Sequence, residues 1–156
     1  MNIHATSPQI QNLTLSHLFH VPAERLFDAW TDPSLVMQWF GPVGFTLPGA
    51  EIDLSVGGSY RFRMQPPEGE AFDHYGVYKV VDRPNRLAFT WILENHECEG
   101  SQGLKCETLV ILDFVSKGDK TELTLTHEGL PTEKAREGHT FGWTSSLECL
   151  DEIISK

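Results

Sequence analysis

Residues 132–156 read TEKAREGHTFGWTSSLECLDEIISK, and the rest of the chain is organised around them. This is the only long segment with a helical period. His139, Trp143, Leu147, Leu150 and Ile154 recur at spacings of four, four, three and four, which sets them on one face of a helix. Lys134, Glu137, Thr144, Glu148, Asp151 and Glu152 fill the opposite face. Gly129-Leu130-Pro131 is a stop before the helix, and Thr132 followed by Glu133 makes an N-terminal cap. At 1.5 Å of rise per residue the helix is about 33 Å long. That is long for a chain of 156 residues, and nearly everything upstream reads as strand. The simplest arrangement lays the helix against a sheet. Gly138 and Gly142 each weaken it by up to ~1 kcal/mol relative to Ala. Gly142, beside Trp143, is expected to let another element approach closely.

Upstream of the helix, Thr121–His127 and Thr108–Val115 are strands joined by the tight turn Lys117-Gly-Asp-Lys120. Residues 94–107, ENHECEGSQGLKCE, are expected to form a polar loop, mobile and metal-free. Leu87, Phe89 and Trp91 alternate with polar or small neighbours. Phe72–Val81 is a strand closed by Asp82-Arg-Pro-Asn85, and Tyr60, Phe62 and Met64 alternate with Arg61 and Arg63. Phe45–Leu54 is interrupted by Pro48-Gly49, the mark of a bulge or an edge strand. Before it the period changes. Val21–Trp30, with Pro22 at its start, and Pro33–Phe40, capped by Asp32, read as two short helices. Leu13–Phe19 alternates as a first strand. The order is β-α-α-β-β-β-β-β-β-α, an α+β chain with an antiparallel sheet and the helices on one face. Residues 1–11 read as an N-terminal tail and 12–156 as a single domain.

A chain of this length buries enough surface to fold without staples. Its net charge of −10 argues against nucleic acid or an anionic membrane as partner. No apolar run is long enough to span a bilayer, and the first residues have neither the basic nor the apolar region of a secretory signal. Three cysteines are not a disulfide framework, so a cytoplasmic location is the default. No serine-hydrolase elbow, zinc-protease helix, phosphate loop or dinucleotide fingerprint occurs.

The ordered set VPAERLFDAWTDPSLVMQWFGP, DLSVGGSYRFRM, HYGVYKVVDRPNRLAFTW, TLVILDF and GLPTEKAREGHTFGWTSSLECLDEII resembles the family named for the activator of the heat-shock-protein-ninety ATPase. That family belongs to the START-like (SRPBCC, birch-pollen-allergen-like) superfamily. The resemblance spans about residues 12–155. It implies a helix-grip fold: a curved antiparallel β-sheet wrapped around the long C-terminal helix, with a cavity between them. It does not fix a function, since superfamily relatives include lipid and hormone binders, aromatase/cyclases and a chaperone activator. His17, where an arginine is common, and the loop bearing His96, Cys98 and Cys106 depart from the family pattern. No catalytic residue is carried over.

Alternation places Trp39, Phe40, Tyr60, Phe62, His74, Tyr78, Phe89, Trp91, His127, His139 and Trp143 on inner faces, an aromatic lining with a few polar groups suited to an apolar or aromatic ligand. Arg61, Arg63 and Lys79 point outward, which disfavours a strongly anionic ligand. His74, His127 and His139 could converge and act as acid or base. His96, Cys98 and Cys106 fall short of a closed zinc site, and a Cys98–Cys106 disulfide is disfavoured in a reducing cytosol. Neither metal nor cofactor is expected. The leading reading is a small-molecule binding module without chemistry. A cyclase- or hydrolase-type enzyme is the alternative, and a chaperone partner and a weak homodimer stay open.

Overall fold

The structure is a computed structural model that describes residues 11–41, 44–94 and 105–155. Seven strands and three helices follow the expected order: β1 (Gln11–Phe19), α1 (Ala23–Thr31), α2 (Pro33–Trp39), β2 (Thr46–Ile52), β3 (Ser59–Gln65), β4 (Phe72–Asp82), β5 (Arg86–Glu94), β6 (Lys105–Lys117), β7 (Lys120–Leu130) and α3 (Glu133–Ile154). The strands form one antiparallel sheet in the order β1-β7-β6-β5-β4-β3-β2. The sheet curves around α3, which is the helix-grip arrangement.

Local chemistry explains each boundary. Asp32 Oδ1 accepts from the Ser34 amide at 2.9 Å and Pro33 follows at the first helical position, so α2 starts where a cap and a preset φ coincide. Thr132 Oγ1 accepts from the Ala135 amide at 3.0 Å and starts α3. β2 is both an edge strand and bulged, its register slipping between Thr46 and Gly49. Pro48 lacks the N–H that a ladder needs, and an edge with a slip is where that lack is tolerated.

The alternation read from the sequence sets the core. Tyr60, Phe62 and Met64, Leu112 and Phe114, and Leu123 and Leu125 are all buried, and Arg61, Arg63 and Lys79 are exposed. Two boundaries differ from expectation by three residues. β7 continues through Gly129, at φ +87°, to Leu130 instead of ending at His127. The polar loop over 94–107 is shorter than expected, because Ile92, Leu93 and Glu94 pair with Glu107, Cys106 and Lys105. Cys106 and Leu93 are buried opposite each other, 1% and 6% exposed, a packing signal masked by the polar residues around them. His96 and Cys98 lie outside the described residues. Cys106 is buried and disulfide-bonded, against the expectation of a reduced thiol, and Cys149 is a free cysteine. Among the described residues no three metal-ligating side chains gather, and no helix is long and apolar enough to cross a membrane.

Candidate functional site

Tyr60 and Thr90 shape the site. The Tyr60 hydroxyl donates to the Thr90 carbonyl at 2.6 Å, and Thr90 Oγ1 accepts from the Val77 amide at 2.9 Å. These side-chain bonds stand in for the backbone ladder, since buried main-chain groups need partners of some kind. β4 and β5 pair from Tyr78↔Phe89 to Asp82↔Arg86 only, and the first half of β4 stays paired with β3. The backbone ladder between β4 and β5 therefore opens beyond Tyr78, while Gly76 and Val77 stay against Thr90. Gly76 is required at the opening, because a Cβ there would stand 2.2 Å from the Thr90 carbonyl oxygen and 2.7 Å from the Tyr60 ring.

A cavity of about 880 Å³ lies between this opening and the first two-thirds of α3. Phe72 and His74 of β4 and Trp91 and Leu93 of β5 border it from the sheet, Phe40 and Phe45 from the segment around the end of α2, and His139 and Trp143 from α3. The helix also contributes Ala135, Gly138, Gly142 and Ser146. These small residues share the helix face of His139 and Trp143, and the cavity is the volume that larger side chains would have filled. The close approach expected at Gly142 is not there: nothing lies within 4 Å of where its Cβ would stand. The close approach is at Gly76 instead.

Of the residues expected at the site, Phe40, His74, Trp91, His139 and Trp143 border the cavity. Trp39, Tyr60, Phe62, Tyr78, Phe89 and His127 do not; they support those that do. Trp39 stacks edge-on against Trp30 at 4.6 Å and donates from Nε1 to the Ala29 carbonyl at 2.8 Å. Tyr60 contacts the rings of Phe62, Tyr78 and Phe89 at 5.0–5.5 Å. The sequence reading missed Phe45, Met64, Phe72 and the small residues of α3. A stripe of Ala135, Gly138, Gly142 and Ser146 at helical spacing is the available signal, of which only Gly142 is read from the sequence as making room, and there for a close approach.

Hydrogen bonding fixes the state of each histidine. His127 is fully buried. The Trp143 indole, which can only donate, gives its Nε1–H to His127 Nδ1 at 3.0 Å. Thr108 Oγ1 donates to the Trp91 carbonyl at 2.7 Å, so it accepts from His127 Nε2 at 2.7 Å. His127 is thus neutral with both nitrogens used. Burial first, then His139 and His74, push its pKa down to about 3. A carbonyl only accepts, so His139 donates from Nδ1 to the Ala135 carbonyl at 2.8 Å. His74 Nε2 lies 3.1 Å from the Tyr60 hydroxyl, whose proton is already given to Thr90, so His74 Nε2 donates. Burial and then His139 push the His74 pKa down to about 3, while burial holds the Tyr60 phenol well above its ordinary value.

The three imidazoles are near one another, with His127 and His139 ring centres 5.1 Å apart and Trp91 set between them and His74. Trp91 and Trp143 pack at a tilt of 54° with ring centres 4.8 Å apart, and the His74 ring centre lies 3.7 Å from that of Trp91, giving one continuous aromatic wall. Charge is confined to Asp73, which is bonded to Arg63 at 3.1 Å, and to the exposed Lys134.

A family model described as "Activator of Hsp90 ATPase homolog 1-like protein" matches residues 20–155. Comparison with curated proteins gives no match. Among solved structures, the chain is similar to the AHSA1 protein of Silicibacter pomeroyi, with 27% identity over 93% of this chain and 98% of that one, at a TM-score of 0.79. A protein of Nitrosomonas europaea is 22% identical over 92% and 94% of the two chains, TM-score 0.78. One from Chromobacterium violaceum is 21% identical over 94% and 99%, also 0.78. The last two bear on the fold alone.

Proposed function

We propose that this chain, which belongs to the Activator of Hsp90 ATPase homolog 1-like protein family, binds one small, mainly apolar or aromatic molecule between α3 and the concave face of the sheet. The observation behind this reading is the cavity of about 880 Å³ walled by Phe40, Trp91 and Trp143. Drug-sized ligands occupy pockets of roughly 300–1,000 Å³ that are mostly apolar with a few placed polar atoms. Binding without chemistry is favoured over acid–base catalysis. A His74 imidazole with a pKa near 3 is a feeble base at neutral pH, and His127 has no nitrogen to spare. A chaperone partner rests on the family description alone.

Two cavity tryptophans make the test direct. Titrating the chain with a panel of polycyclic aromatic and fatty compounds should quench intrinsic fluorescence at a stoichiometry of one, with the matching adduct mass in native mass spectrometry. The reading falls if no compound quenches and no adduct forms.

A further inference from the structure

His74 is 7% exposed and borders the cavity. Its Nε2 carries the proton and gives it to Tyr60, whose own proton goes to the Thr90 carbonyl at 2.6 Å. The chain Nε2–H to Tyr60 to Thr90 has one direction, because its last member is a carbonyl that can only accept. Nδ1 is therefore the bare nitrogen. It makes no hydrogen bond among the described residues, and it is not sealed away: among them Trp30 Nε1 is the one fully buried side-chain nitrogen or oxygen without a partner. Nδ1 thus opens into the cavity as a fixed lone pair beside the Trp91 ring, whose centre is 3.7 Å from the imidazole.

We infer that the cavity selects a ligand carrying a hydrogen-bond donor on an aromatic frame, a phenol or an aromatic N–H, with the donor on His74 Nδ1 and the frame against Trp91 and Phe40. This deepens the ligand-binding reading and rests on it. A ligand offering only an acceptor at that place, such as an ether or a ketone, meets a lone pair and leaves the nitrogen unsatisfied. Tyr60 is a positioning residue here: by taking the Nε2 proton it holds the tautomer. The depressed His74 pKa keeps the nitrogen bare throughout the neutral range.

The test uses 4-phenylphenol and its methyl ether, 4-methoxybiphenyl, titrated at pH 7.5 against the full chain. Burial alone favours the ether, which has one more methyl group. The inference expects the phenol to bind about tenfold tighter. In Tyr60→Phe, where the imidazole proton can sit on either nitrogen, and in His74→Phe, the preference should fall to about one or reverse. The wild-type pair is decisive even if a variant fails to fold. An ether that binds as tightly as the phenol overturns the donor inference and leaves the cavity reading intact. A preference undiminished in both folded variants overturns the assignment to His74. If neither compound binds at millimolar concentration while other aromatics quench, the donor inference alone fails; if nothing quenches, both readings fail.

Discussion

Trp143 Nε1 donates to His127 Nδ1 across 3.0 Å, tying α3 to β7 through two side chains that are 4% and 0% exposed. Trp143→Phe keeps an aromatic ring at the cavity wall and removes the donor, which strands a buried acceptor. The expected cost is about 1–3 kcal/mol in urea unfolding. A loss below about 0.5 kcal/mol would mean that the bond contributes nothing.

The histidines also set a pH limit. His74 and His127 have folded pKa values near 3, against about 6.5 in the unfolded chain. Above pH 6.5 neither state binds these protons. Below it the unfolded chain takes them up first, so stability falls from pH 6.5 down toward 3, by about 1.4 kcal/mol per pH unit for each imidazole. The pair should cost about 3 kcal/mol between pH 6.5 and 5, since the slope reaches its full value only below pH 6. Urea midpoints across that range provide the check, and His74→Phe should halve the slope.

Two glycines should respond in opposite ways to alanine. At Gly142 the new methyl enters open space and the helix gains up to ~1 kcal/mol, so the melting temperature should rise. At Gly76 it meets the Thr90 carbonyl at 2.2 Å, and β4 must move; a loss of at least about 3 kcal/mol, or failure to fold, is expected. Gly142→Leu should fold and lower ligand affinity by occupying the cavity. Equal melting temperatures for the two alanine variants would contradict this placement of the open space.

β1 meets α3 through His17 and Asp151, 2.8 Å apart and 27% and 36% exposed. Burial acts to raise the Asp151 pKa, but hydrogen bonds from His17 and Ser155 outweigh it and hold the carboxyl below its usual range. Solvent screens a pair this open. Asp151→Asn should cost no more than about 1 kcal/mol, and less still in 1 M salt. A larger, salt-independent loss would assign the residue a packing role.

Strand and helix order was legible because alternation and helical spacing survive in the sequence. Tyr60, Phe62 and Met64 announce a buried face, and Asp32-Pro33 announces a helix start. Five residues of the cavity wall, Phe40, His74, Trp91, His139 and Trp143, were legible for the same reason. The rest was not, because burial and lining a space leave the same signature. Trp39 and Phe89 satisfy alternation as well as Trp91 does, yet only Trp91 stands at the opening. That opening depends on Tyr60, Gly76 and Thr90 meeting across three strands, a coincidence in space with no local pattern to mark it.

The position of β1 has a consequence for how the chain comes to be folded. Among the described residues its only strand neighbour is β7, and the Ser16–Thr124 contact joins residues 108 positions apart. On a ribosome, β1 is made early and must wait, with Leu13, Leu15 and Phe19 unpaired, until β7 has emerged. Local hairpins from β2 to β6 can assemble meanwhile, but closing so long a loop is slow and entropically costly. The same residues that line the core in the finished protein are therefore, until β7 emerges, an unpaired apolar strand of the kind that favours aggregation and capture by general chaperones.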